Sequence, residues 1–123
     1  MTAIARYVGV SMDCADPAAL ADFYRQMLDL EVSYTSDDFV FLGEMGPNGI
    51  GFVRVENYVP PTWPKPDVPK QAHMEFGVDD LDAGEAALIK LGATKPDEQP
   101  QPDRWRVMLD PAGHPFCISN ASS

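Results

Sequence analysis

Three residues carry side chains suited to moving protons: His73, Glu75 and Asp13. His73 and Glu75 stand two apart in the run His73-Met74-Glu75-Phe76-Gly77-Val78, where polar or small residues alternate with apolar ones. Successive side chains of a strand point to opposite faces. His73, Glu75 and Gly77 then share one face, and Met74, Phe76 and Val78 the other. A carboxylate on a dry floor gains proton affinity and serves as a general base. An imidazole titrates near neutral pH and serves as acid or base. Cys117 adds a thiol. Beside His73 it would be a nucleophile, whereas buried among apolar residues it would be inert. The same polar groups would equally satisfy one another, or backbone, at a seam between subunits. The residues alone leave these readings open.

Such groups need elements to place them, and the chain supplies a repeat. Asp16-Pro17 follows a strand-like run and opens a helix, and Asp80-Leu81 does the same later in the chain. Gly46-Pro47-Asn48-Gly49 and Asp110-Pro111-Ala112-Gly113 are both tight turns by composition. Gly46 precedes Asp110 by the same distance along the chain as Asp16 precedes Asp80. Repeats of this kind specify architecture. In the first half, Tyr7 to Cys14 reads as a strand. Asp16 is an N-cap and Pro17 suits a first helical turn. Leu20, Phe23, Tyr24, Met27 and Leu28 form one apolar helical stripe. Glu31 to Thr35, Phe39 to Leu42 and Ile50 to Glu56 read as strands. In the second half, His73 to Val78 is a strand, Ala87, Leu88 and Leu91 mark a buried helix face, and Gly92 stops the helix. Arg104 to Leu109 and Pro115 to Ser119 are strands. A further strand near Thr94 is crowded by Pro96, Pro100 and Pro102. Asp29 follows the first helix, and Asp tolerates left-handed backbone.

Alternation from Gly9 places Gly9, Ser11 and Asp13 on one face, and alternation from Cys117 adds Pro115 and Ser119 to the face of His73 and Glu75. Phe39-Val40-Phe41-Leu42 is apolar on both sides, unlike a strand with one face in water. Its second face is expected to line a ligand cavity, a partner subunit or ordinary core. Trp63 and Trp105 are placed to close over a planar ligand or simply to pack. His114 reads as an exposed turn residue.

The chain has 123 residues, 45% of them apolar, which fits one compact domain. The organisation read here is module one at 1–56, a proline-rich linker at 57–71 and module two at 72–123. The linker holds Pro60, Pro61, Pro64, Pro66 and Pro69 and reads as a stiff surface crossing. There are 19 Asp and Glu against 9 Lys and Arg, a net charge of −10. That field repels phosphate backbones and anionic bilayers, so neither nucleic acid nor membrane is an expected partner. No apolar run reaches membrane-spanning length, and a signal peptide is not expected from the opening residues. With two cysteines and no disulfide pattern, a reducing cytoplasm is expected.

Paired β-α-β-β-β units with a D-P-x-G turn before the last strand resemble the vicinal oxygen chelate (glyoxalase/bleomycin-resistance) superfamily. The matching residues run from Tyr7 to Leu28, from His73 to Leu81 and from Asp110 to Cys117, and the second half is most similar to glyoxalase-like members found widely in bacteria. The resemblance implies an α+β fold in which two βαβββ modules form an incomplete barrel or cup that binds a small molecule, and it implies a homodimer. Metal-dependent members carry a ligand at the start of the first strand and one on the last strand of each module. Here those positions fall at Gly9, Val53, His73 and Cys117. Two of the four have no ligating side chain, so no metal and no other cofactor is expected. The leading expectation is a metal-free protein that binds an apolar or aromatic molecule through Ser11, Phe39, Phe41, Trp63, Trp105 and Cys117. The alternative is a metal-free isomerase, lyase or cyclase using His73, Glu75 and Asp13. A metal-dependent lyase or dioxygenase ranks last.

Overall fold

The computed structural model describes residues 3–63 and 67–120. It is α+β, with two helices and two small open sheets divided between two compact units, Met1–Tyr58 and Val59–Ser123. Pro64 and Pro66 of the linker lie outside the described residues. Among the described residues no helix is long and apolar enough to cross a membrane.

In the first unit the order is β1 (Val10–Cys14), α1 (Pro17–Leu28), β2 (Val32–Thr35), β3 (Phe39–Leu42) and β4 (Ile50–Arg54). The sheet order is β1-β4-β3-β2, with β1 parallel to β4 and the other pairs antiparallel. The Asp16 side chain accepts the Ala19 N–H at 3.2 Å. Pro17 takes the first turn, and Asp29 ends the helix at φ 52°. Leu20, Phe23 and Tyr24 are buried, as are Val40, Leu42, Ile50 and Phe52 of the strands. The Tyr24 ring stacks on Phe52 at 5.5 Å, joining helix to sheet, and meets the edge of Phe23 at 5.0 Å.

The first strand is shorter than expected. It begins at Val10 rather than Tyr7. Gly9 sits at φ 145°, and the Val8 carbonyl accepts the Gly46 N–H at 3.0 Å. The stretch before Val10 is therefore bonded to the turn that precedes β4, outside the regular ladder.

In the second unit, β5 (Met74–Val78) leads to α2 (Leu81–Leu91), then β6 (Trp105–Leu109) and β7 (Pro115–Asn120), with sheet order β5-β7-β6. Asp80 caps α2 by accepting the Ala83 N–H at 2.8 Å, and Gly92 ends it at φ 118°. Arg106 of β6 ties the sheet to this helix through Asp82 at 2.8 Å and Glu85 at 3.1 Å. The expected strand near Thr94 is reduced to one bridge, Thr94 to Leu109. Prolines cannot donate to a ladder. The Gln99 amide takes over instead, accepting the Val107 N–H and donating to the Val107 carbonyl, both at 2.9 Å. One side chain thus supplies the pair of bonds that a neighbouring strand would have made, and closes the β6 edge.

Gln99→Ala leaves those two partly buried backbone groups without their partner. It is expected to lower stability by about 1–3 kcal/mol in urea unfolding. Gln101→Ala, on an exposed side chain nearby, should change stability by less than about 0.5 kcal/mol. Equal effects of the two substitutions would show that the amide does not act as a strand substitute.

Candidate functional site

The first unit's sheet has one face covered by α1 and one open. Register identifies the open face. Ser11 lies opposite Gly51, which lies opposite Phe41, and Phe41 lies opposite Tyr34. In the next row, Asp13 lies opposite Val53 and Val53 opposite Phe39. Residues directly opposite share a face. Val40, Leu42, Ile50 and Phe52, the alternate residues, are the buried ones that serve as core.

On this open face three aromatic rings form a continuous platform. Phe39 and Phe41 stack with centroids 6.3 Å apart and planes at 27°, and Tyr34 follows Phe39 at 6.0 Å. The rings lie across the sheet because glycines leave room. A Cβ at Gly51 would fall 2.9 Å from the Phe39 ring and 2.9 Å from the Ser11 hydroxyl. At Gly49 it would fall 2.7 Å from the Phe41 ring. Phe39 and Phe41 are at least partly open to solvent, while Tyr34 is 56% exposed and Ser11 and Asp13 are exposed. The hairpin that carries the rings is held by Ser36, whose hydroxyl accepts the Phe39 N–H at 3.2 Å. Ser33 at the β2 bulge donates its hydroxyl to the Gly43 carbonyl at 2.7 Å.

In the second unit, Arg106 marks the helix-covered face, and the opposite face carries the other predicted residues. Glu75, Cys117 and Val107 form one row; Gly77, Ser119 and Trp105 form the next. Glu75 is exposed and Trp105 half-buried, whereas Cys117 is buried. Burial pushes the Cys117 thiol above its ordinary 9.0, and the Glu75 charge adds to this while Lys70 opposes it. That is the reverse of what a thiolate nucleophile needs. His73 is exposed just before β5, with its ring 4.9 Å from Trp63. The Lys70 ammonium sits 3.7 Å from the centre of the same Trp63 ring. Trp63 therefore packs against both a cation and His73. His114, expected to be exposed, is half-buried, and its N–H is held by the Asp110 carboxylate at 3.0 Å.

Within each unit the structure joins several predicted residues: Phe39 with Phe41, Ser11 with Phe39 above Gly51, Glu75 with Cys117, and Trp63 with His73. Asp13 and Glu75 are exposed, which is not the dry setting that general-base chemistry asks of a carboxylate. Tyr34, Lys70 and the ring-seating Gly51 were not singled out from sequence. Alternation of Val32 and Tyr34 before the hairpin was the available signal for the first. A surface depression of about 650 Å³ lies at the N-terminal end of α1, bordered by Asp16, Ser36, Asp37 and Arg54. None of the predicted site residues lines it.

The positions that the resemblance marks for metal ligands do not carry a full donor set. Glu75, two residues after His73, pairs with Cys117, whereas Ser11, two residues after Gly9, pairs with Gly51. By register the counterpart of Cys117 is thus Gly51; by sequence offset it is Val53. Neither side chain can bind a metal, nor can that of Gly9. Among the described residues no group of three or more His, Cys, Asp or Glu is placed to hold a metal ion.

Comparison with known proteins fits this geometry. A family model described as a glyoxalase-like domain matches residues 9–119. No curated protein matches the sequence. Among solved structures, the chain is similar to a possible glyoxalase from Bacillus cereus, with a TM-score of 0.68 and 15% identity over 95% of this chain and 99% of the other. It is similar to a fosfomycin resistance protein from Mesorhizobium loti, with a TM-score of 0.67 and 16% identity over 98% and 95%. It is also similar to the bleomycin-binding protein of Streptomyces verticillus, solved with copper(II)-bleomycin, with a TM-score of 0.58 and 18% identity over 99% and 100%. These likenesses establish a shared fold. The family match runs from Gly9 on the approach to β1 to Ser119 in β7, and the chain belongs to the glyoxalase-like domain family.

Proposed function

We propose that this protein binds a small apolar or aromatic molecule on the open face of the first unit's sheet, without using a metal. The observation that carries the reading is the seating of Phe39 and Phe41 over glycines, which leaves a continuous aromatic surface on that face. Each 100 Å² of apolar surface covered on this platform contributes about 2.5 kcal/mol before the costs of association. Two solved relatives are described as bleomycin-binding and fosfomycin resistance proteins, which supports recognition of small molecules as the shared theme. The proposal includes a homodimer as the working form and the cytoplasm as its setting. Metal-free acid–base catalysis by His73, Glu75 and Asp13 ranks second. What favours it is the placement of His73 beside Trp63 and Glu75 beside Cys117.

A panel of small aromatic compounds in a thermal-shift assay tests the reading. Saturation at a hundredfold excess over Kd stabilises by about 2.7 kcal/mol, a shift of several degrees. Gly51→Ala displaces the flexible ends of Phe39 and Ser11 with little cost to the fold, and is expected to weaken binding about tenfold while changing stability by less than about 1 kcal/mol. A broad panel that stabilises nothing would sink the proposal.

The state of Cys117 gives a second check. Its raised thiol keeps the proton in the folded chain, so the associated stability is present below the unfolded thiol's range. As pH rises above that range the unfolded chain loses its proton first, and stability falls until the folded thiol ionises too. Iodoacetamide at mildly alkaline pH should modify Cys117 at least about tenfold more slowly in the folded protein than in urea. Glu75→Gln should speed the folded reaction. A fast folded reaction would restore the thiolate reading.

A further inference from the structure

We propose that the molecule taken by the open face of the first unit is an aromatic ring bearing a hydroxyl or carbonyl oxygen at its edge, and that the Ser11 hydroxyl selects it through a hydrogen bond. This inference rests on the binding reading above and adds the polar group that the ligand must carry.

Register makes Ser11 part of the aromatic platform. The row Ser11, Gly51, Phe41, Tyr34 crosses all four strands on the open face. Gly51 adds no side chain to that row, and two neighbours border the gap it leaves. The point where its Cβ would sit lies 2.9 Å from Cε1 and Cζ of Phe39 and 2.9 Å from Oγ of Ser11. The hydroxyl and the leading edge of the Phe39 ring therefore stand no more than twice that distance apart. A ring stacked on Phe39 reaches Oγ of Ser11 with a single oxygen substituent on its own edge.

The hydroxyl is also available. Ser11 is exposed, and among the described residues its Oγ has no hydrogen-bond partner. The first unit's other serines are committed to backbone. Ser33 donates to the Gly43 carbonyl at 2.7 Å, and Ser36 accepts the Phe39 N–H at 3.2 Å. Ser11 itself is held in the ladder opposite Gly51, so its hydroxyl has a fixed origin and moves mainly by rotation about χ1. Small-molecule sites commonly join apolar surface to a few placed polar groups, the first giving affinity and the second orientation. Phe39, Phe41 and Tyr34 supply the surface here, and Ser11 the polar group. A hydroxyl both donates and accepts, so it pairs with a ligand hydroxyl or carbonyl alike. A methyl group at the same place would strip water from the Ser11 hydroxyl and return no hydrogen bond.

The test compares two ligands of one shape, 2-naphthol and 2-methylnaphthalene, titrated into the intact protein at neutral pH and followed by protein NMR shifts. Naphthol is expected to bind about three- to tenfold more tightly, the size of one net hydrogen bond. Ser11→Ala should bring naphthol down to the affinity of methylnaphthalene. Ser11→Thr keeps a hydroxyl at that place and should restore the preference. If methylnaphthalene binds the unaltered protein as well as naphthol does, the polar assignment is overturned while the apolar site stands. Loss of the preference in both Ser11 variants would also overturn it, since shape rather than the hydroxyl would then decide. If Tyr34→Phe removes the preference and Ser11→Ala keeps it, the selecting hydroxyl is that of Tyr34 and the role of Ser11 is overturned. If neither ligand binds, the underlying binding reading fails with it.

Discussion

The candidate binding face depends on one steric fact: the β4 region has no side chain at Gly49 or Gly51 on its open face. A Cβ at either place would collide with Phe41 or Phe39. Without them the two rings fold over the strand and meet each other at 6.3 Å. With them the rings would have to stand away from the sheet, and the platform would break into separate side chains. The opposite face of the same strand does different work, since Ile50 and Phe52 are buried and Tyr24 stacks on Phe52. A single strand thus joins the core to the candidate binding face, with side-chain alternation separating the two roles.

The second unit keeps the plan of the first and fills it differently. Its helix is tied to the sheet by the Arg106 contacts to Asp82 and Glu85 rather than by stacked aromatics. Its open face carries Glu75 and a buried Cys117 in place of rings over glycines. Its pairing of first and last strands is offset by two residues relative to the first unit, Met74 to Phe116 against Val10 to Ile50. A two-residue offset preserves which face each residue occupies. The repeat therefore conserves facing while its pairing changes, and that leaves the chemistry of each face able to diverge.

Much of this was legible in the residues, for identifiable reasons. Asp16-Pro17 and Asp80 cap helices by a local hydrogen bond that needs no tertiary context, and both caps form as read. The spacing shared by the two halves of the sequence reappears in the starts of β1 and β5 and of α1 and α2. The strand near Thr94 was less legible because its role passed to the side chain of Gln99, and no periodicity signals a side chain that imitates a strand. The start of β1 was misplaced because Val8 looks like a strand residue, while its carbonyl is committed to Gly46. At the site, alternation placed Ser11 and Asp13 on one face and Glu75 and Cys117 on another. It did not show that Phe39 and Phe41 lie flat, since ring orientation depends on the glycines of a neighbouring strand. Nor did it show that His73 turns to Trp63 across the proline-rich segment.

The most direct test of the central claim is a two-dimensional NMR titration of isotopically labelled protein with naphthylmethanol. The account predicts ligand-dependent shifts concentrated at Gly51, Val53, Phe39, Phe41 and Tyr34, with the α1 core residues Leu20 and Phe23 much less affected. Shifts centred instead on Glu75, Cys117 and Trp105, with the first unit's open face unmoved, would contradict it and move the binding site to the second unit.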